Sequence, residues 1–324
     1  MVIRILRFSL VLLLSSASWS AQAKPEVSAA GFVRESLADG TEIGIWYPAK
    51  GEAQRQRLGL YEQDVVTNGE LVGGRHPLIV MSHGSGGGFG GHYDTAVALA
   101  RSGFVVAALT HPGDNFKDQS RQTDVAARPV ALRALIDHMI GGWRHRAIVD
   151  PARIGAFGFS AGGFTVLAAA GGRPDLSRIA AHCAAHPDFY DCRLIRSQPP
   201  RGAAWPDVTD PRIKALVVAA PALGFTFDRA ALAGVKVPVQ LWKAGSDAIL
   251  PAPFYADAVR DSLSGKPEFH AVTGAGHFDF LAPCAVEAAA SPICTSAAGF
   301  DRTAFHKEFN DDVVRFFRQH LQGR

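Results

Sequence analysis

The stretch "RIGAFGFSAGG", residues 153–163, decides the fold of this chain. Its first half is a compact apolar run that reads as a buried strand. The residues that follow, "AGGFTVLAAA" (161–170), read as a helix rich in small side chains. At the joint sits "GFSAG" (158–162), the pattern G-x-S-x-G in the strand-to-helix context that gives it meaning. A turn this tight forces its central residue into a strained conformation. Side chains at Gly158 or Gly162 would clash with neighbouring backbone. Ser160 therefore projects at the carboxyl end of a strand, where open α/β sheets place their ligands. A glycine-rich helix start without chemistry would show the same pentapeptide, so the rest of the chain has to decide.

Outward from the joint, apolar strands alternate with helices. "PLIVMS" (77–82), "FVVAALTH" (104–111), "IKALVVAAP" (213–221) and "VPVQLWKAG" (237–245) are continuous apolar runs of strand length. Helical spacing appears at 93–103, at 128–140, at 251–264 and near the C-terminus, where Phe305, Phe309, Val313, Phe316 and Leu321 share a face. Residues 31–49 alternate around Asp39-Gly40 as a β-hairpin does, and a polar connection follows them. The pattern predicts an α/β fold: a mostly parallel sheet with helices on both faces and an antiparallel N-terminal hairpin.

A serine hydroxyl is a weak nucleophile and needs a base within hydrogen-bond reach. The chain has 12 histidines, and His83 and His111 also follow strands. His277, in "GAGHFDF" (274–280), follows the short strand "EFHAV" (268–272), and its flanking glycines let the loop turn back toward the sheet. The imidazole in turn needs a carboxylate to fix its tautomer. Asp247, in "WKAGSDAILP" (242–251), sits on the loop after the preceding strand, whereas Asp279 lies too close to His277 in sequence to reach its ring. The order Ser160, Asp247, His277 is nucleophile, acid, histidine, each after a successive late strand.

One loop remains unusual. "HGSGGGFGGH" (83–92) contains the spacing G-x-G-x-x-G at Gly86, Gly88 and Gly91, which could wrap a dinucleotide pyrophosphate. That reading requires an acid near the end of the next strand. Here the strand ends "LTHPGDN" (109–115), with His111 in the acid's place, and no Walker lysine follows the glycines. The alternative is half of an oxyanion hole. One donor is then the N–H of Ala161, after the serine. The other is that of Ser85, with Gly84 and Gly86 as neighbouring alternatives.

The formal net charge is +3 with no run of like charge, which argues against nucleic acid or an anionic membrane as partner. Residues 1–23 read as a signal peptide, with Arg4 and Arg7 before the apolar "FSLVLLLSSA" (8–17) and "AQA" (21–23) at the cleavage point. The expectation is an exported protein, periplasmic or secreted, with no stable membrane anchor and one domain over 24–324. Export makes two disulfides of Cys183, Cys192, Cys284 and Cys294; proximity favours Cys183–Cys192 and Cys284–Cys294. Zinc is the rival, but neither C-x-x-C nor H-x-x-x-H accompanies them. Residues 172–210, rich in Pro and Arg, form either an inserted lid or a long surface excursion. Nothing in the sequence sets the oligomeric state.

With these residues in place the chain resembles the α/β-hydrolase superfamily. More narrowly it is similar to exported proteins described as predicted dienelactone hydrolases, akin to platelet-activating-factor acetylhydrolases. The likeness rests on "WYPA" (46–49), "MSHGSGG" (81–87), "HPGDN" (111–115) with "RP" (128–129), "RIGAFGFSAGG", "AGSD" (244–247) and "GAGHFDF". Dienelactone hydrolases carry a cysteine nucleophile where this chain has Ser160. The resemblance therefore implies a serine hydrolase acting on a small-molecule or lipid ester through an acyl-enzyme, with no metal or organic cofactor. A phospholipase or peptidase on the same three residues, and a catalytically silent binding protein, are the rival readings.

Overall fold

Side chains along the central strands alternate between two separate apolar clusters, so the sheet is buried on both faces. Leu78 and Val80 face one cluster while Ile79 and Met81 face the other, and Val105, Ala107 and Leu109 alternate in the same way with Val106 and Ala108. This explains why the strands read as unbroken apolar runs. The computed structural model describes Val2 and residues 29–200 and 205–323. The predicted signal segment, 1–23, lies outside these apart from Val2. Among the described residues no helix is long and apolar enough to cross a membrane.

The strands are β1 (Ala29–Ser36), β2 (Glu42–Lys50), β3 (Gln54–Leu58), β4 (Tyr61–Thr67), β5 (Glu70–Leu71), β6 (His76–Ser82), β7 (Val105–Leu109), β8 (Val149–Phe159), β9 (Ile213–Ala219), β10 (Val239–Ala244) and β11 (Glu268–Val272). They lie in the order β11-β10-β9-β8-β6-β7-β2-β1-β4-β3, with β5 beside β2. From β7 to β11 every neighbouring pair is parallel, and β2 joins β7 antiparallel. The α-helices are α1 (Tyr93–Arg101), α2 (Ala127–Asp137), α3 (Ala161–Ala169), α4 (Arg178–Ala185), α5 (Tyr190–Ser197), α6 (Ala256–Ser262) and α7 (Arg302–Phe317). Leu99 of α1 and Phe309 and Val313 of α7 cover one face; Leu132 of α2, Phe164 of α3 and Val259 of α6 cover the other.

The chain leaves β6 for β7 on one side and returns as β8 on the other. The loops after β6 and β8 thus depart to opposite faces from adjacent strand ends, opening a crevice between them. In such sheets that reversal is where a ligand binds.

Three segments differ from the sequence expectation. The "polar connection" after β2 is a second hairpin, β3–β4, with β5 following it. It escapes a periodicity reading because its strands are half-exposed and one inward residue, Gln63, is polar, buried and bound to the Trp46 indole N–H at 2.8 Å. The helix expected over 251–264 begins only at Ala256, after Pro251 and Pro253, which cannot continue a helix interior. The region 172–210 contains two eight-residue helices, α4 and α5.

Cys183 on α4 is bonded to Cys192 on α5, and Cys284 to Cys294, as proximity suggested. Both bridges fit an oxidising compartment. Each closes a loop of about ten residues, for which chain entropy gives roughly 2.5 kcal/mol of stabilisation. Alkylation of unfolded protein without reductant should therefore add no mass, whereas reduction first should add four alkyl groups; equal masses would refute the pairing.

Candidate active site

Ser160 stands between β8 and α3 with φ +54° and ψ −119°, a conformation that costs a non-glycine residue about 1–3 kcal/mol. The flanking glycines are required by contact. A Cβ on Gly158 would lie 2.1 Å from the Gly162 carbonyl oxygen, and one on Gly162 would lie 1.9 Å from that of Ser82. The start of α3 is thereby pressed against the end of β6.

Asp247 follows β10 and His277 follows β11. His277 Nε2 lies 3.0 Å from Ser160 Oγ, and its Nδ1 lies 2.8 Å from Asp247 Oδ2. The other carboxylate oxygen of Asp247 accepts the backbone N–H groups of Ile249 and Leu250 at 2.9 and 2.7 Å. One oxygen is thus anchored and the other is left for the imidazole. His277 is 5% exposed and Ser160 9%, so the three residues meet in a nearly dry site open at the serine. Asp279 is engaged elsewhere: it accepts from Arg302 Nε at 3.1 Å and from the Gly276 N–H at 2.8 Å.

The glycine loop after β6 lies across from Ser160. A Cβ on Gly84 would lie 3.1 Å from the Phe159 ring and 3.2 Å from Ser160 Cβ, so a side chain there would crowd the serine. The Gly86 N–H donates to Asp114 Oδ1 at 2.7 Å, which removes it as a free donor. Among the described residues no hydrogen bond takes up the N–H of Ser85, and that of Ala161 is one of the unpaired donors of a helix start. His83 Nε2 accepts from the His111 N–H at 2.9 Å, so the proton sits on Nδ1 and is donated to the Gly84 carbonyl at 2.5 Å. Burial, reinforced by the nearby Arg128 guanidinium, pushes the His83 pKa down to about 3 and keeps this tautomer neutral.

Sequence reading missed the groups that hold the loop. Asp114 also accepts from Ser85 Oγ at 2.8 Å, and its second oxygen pairs with Arg128 Nη1. Arg128 Nη2 donates to the His83 carbonyl, and Nε donates to Thr165 Oγ1 at 3.1 Å. Thr165 Oγ1 donates to the Ala161 carbonyl at 2.7 Å. One buried guanidinium therefore joins the glycine loop to the first turn of α3. Its sequence signal was present, in "HPGDN" and "RP", but carried no role.

Two cavities adjoin the site, and Ser85 lines both. The first, of about 530 Å³, is bordered by Ser160, Ala161, Leu223 and Leu250 and walled by α4 and α5. Leu194 and Ile195 line it, while Arg193 and Arg196 point to solvent. The second, of about 440 Å³, lies along the glycine loop. His182, Asp191 and Cys192 also bring possible metal-ligand atoms together, but the Cys192 sulfur is committed to its disulfide.

No profile of a known protein family matches this chain, and no curated protein does. Among solved structures, a ferulic acid esterase from Streptomyces cinnamoneus is similar with a TM-score of 0.61 over 94% of this chain and 93% of that one, at 17% sequence identity. The likeness shows the fold: this chain has the α/β-hydrolase fold.

Two substitutions test this geometry. Gly162→Ala should cost at least about 2 kcal/mol, read as a lowered urea midpoint, because backbone cannot yield to the new methyl. His92 is buried against Phe157 and Phe159. Burial pushes its pKa down from 6.5 to about 3. The folded state therefore resists protonation: its stability is whole above pH 6.5 and falls as pH drops toward 3. Each such histidine adds a slope of up to about 1.4 kcal/mol per pH unit in that window. His92→Phe should flatten the dependence of unfolding free energy between pH 6 and 4 by about 1 kcal/mol per unit; an unchanged slope would refute the assignment.

Proposed function

We propose that the protein is a serine hydrolase of carboxylic esters, with Ser160 as nucleophile, His277 as base and acid, and Asp247 orienting the imidazole. The observation that carries this reading is the continuous chain of hydrogen bonds from Ser160 Oγ through His277 to Asp247, at a serine held in a strained turn. His277 takes the Ser160 proton as Oγ attacks the ester carbonyl. Asp247, already anchored by two backbone N–H groups, stabilises the imidazolium that forms. The developing oxyanion is met by the N–H groups of Ser85 and Ala161. As the tetrahedral intermediate collapses, His277 returns the proton to the leaving alcohol and an acyl-enzyme remains. Water, activated by the same imidazole, then releases the acid and restores Ser160.

The fold is shared with an esterase, which supports ester hydrolysis as the reaction class. The narrower likeness to the dienelactone hydrolase and acetylhydrolase group gains support from Asp114 and Arg128. Its two diagnostic segments, "HPGDN" and "RP", meet in that ion pair. The two disulfides support export, in line with the leader that the sequence of residues 1–23 predicts.

Wild-type protein should react with a fluorophosphonate probe and hydrolyse p-nitrophenyl acetate. Ser160→Ala should lose the label and lower kcat by roughly 10⁶-fold, and Asp247→Asn should lower it by roughly 10⁴-fold. Wild-type protein that neither labels nor turns over esters would refute the reading and favour a binding role.

A further inference from the structure

The second cavity is lined by the glycine loop itself, and the reading above gives it no task. Five aromatic residues, Tyr61, Phe89, Phe116, Phe159 and Phe278, border it beside the aliphatic Leu58, Leu60, Leu281 and Ile293, with Arg34, Glu42 and Lys117 also in its lining. Phe116 is 63% exposed, an unusual position for a large apolar ring. The first cavity differs. Apart from Tyr190 and Trp205 its apolar lining is aliphatic, with Leu176, Ile179, Leu194, Ile195, Leu223 and Leu250 among it.

The glycines explain how the second cavity stays open. A Cβ on Gly87, Gly88 or Gly90 would meet His83, Phe116 or Leu58 at 3.0–3.1 Å. The loop packs at backbone distance against these groups, and apart from His83, Ser85 and Phe89 it presents only backbone to the cavity. Six loop glycines line it: Gly84, Gly86, Gly87, Gly88, Gly90 and Gly91.

The position of His277 assigns each cavity to one half of an ester. The imidazole that protonates the departing alcohol must lie on that alcohol's side of the carbonyl carbon. His277 packs on Phe159 with ring centroids 4.8 Å apart, and its neighbour Phe278 and the nearby Leu281 line the second cavity. The first cavity touches Ser160 and Ala161 but no residue of 274–281. An acyl group bonded to Ser160 therefore extends into the first cavity, and the alcohol leaves from the second.

Resting on the esterase reading, we infer that the glycine-loop cavity is a leaving-group subsite for aromatic alcohols, set opposite an aliphatic acyl subsite beneath α4 and α5. The preferred substrate class is an aliphatic carboxylic ester of an aryl-bearing alcohol. Flat rings suit a cavity whose floor is largely glycine backbone and whose walls include the rings of five aromatic residues.

The test compares kcat/KM for 2-phenylethyl butanoate, hexyl butanoate and hexyl 3-phenylpropanoate, with p-nitrophenyl acetate as a reference for the chemistry. The first two release primary alcohols of similar acidity and similar apolar size, so the ratio reports ring recognition. The expected preference for the phenylethyl ester over the hexyl ester is about five- to tenfold. Leu60→Trp, at the exposed turn between β3 and β4, projects bulk into the cavity while keeping the Leu60 carbonyl that accepts from the Ala285 N–H. That variant should reduce the ratio to below about twofold. A wild-type ratio within about twofold, or a preference that follows the aromatic acyl group instead, overturns the subsite while leaving the esterase reading intact. No turnover of any ester, p-nitrophenyl acetate included, overturns both.

Discussion

The contact between Gly162 and the Ser82 carbonyl is the constraint on which the site depends. There is no room for a methyl group between them, so α3 begins directly against the end of β6. Two consequences follow from one close approach. Ser160 is forced into its strained turn, and the loop leaving β6 at His83 and Gly84 is brought so close that a side chain at Gly84 would crowd the serine. Ser160 and the glycine loop are placed relative to each other by the sheet, through parallel pairing of β6 with β8, and not by flexible side chains.

The buried Arg128 fixes what sheet geometry leaves free. A guanidinium taken out of water is costly unless its donors are satisfied, and here they meet Asp114, the His83 carbonyl and Thr165. Because Asp114 also holds the Gly86 N–H and the Ser85 hydroxyl, the ion pair sets the conformation of the loop from behind. A second polar cluster supports the histidine. His306 bonds Asp94 and the Asp279 carbonyl, while the Asp279 carboxylate binds Arg302 and the Gly276 N–H just before His277. Rigid backing of this kind is what a preorganised site requires, since donors that must reorganise during reaction contribute less.

Much of this was legible in the sequence because it depends on local chemistry. G-x-S-x-G between a strand and a helix admits few other geometries, and continuous apolar runs alternating with helical periodicity describe a sheet covered on both faces. Ser160, Asp247 and His277 could be picked out because strand ends order them along the chain. What stayed hidden is non-local or chemically plain. The β3–β4 hairpin hides behind polar inward residues such as Gln63. The tie from Arg128 to Thr165 spans 37 residues, and nothing in a lone threonine announces it. Residues 172–210 looked polar because Arg193 and Arg196 are what solvent sees of α5, while Leu194 and Ile195 turn inward on a helix too short to show a clear period. The glycines from 88 to 91 had no role until the cavity they leave open was visible.

The central claim is that Ser160 attacks while the N–H groups of Ser85 and Ala161 receive the oxyanion. The crystal structure of an alkyl phosphonate adduct tests it most directly, because the tetrahedral phosphorus mimics the intermediate. The account predicts phosphorus bonded to Ser160 Oγ, with the phosphoryl oxygen about 3 Å from both backbone nitrogens. An adduct on another residue, or a phosphoryl oxygen turned away from the glycine loop, would contradict it.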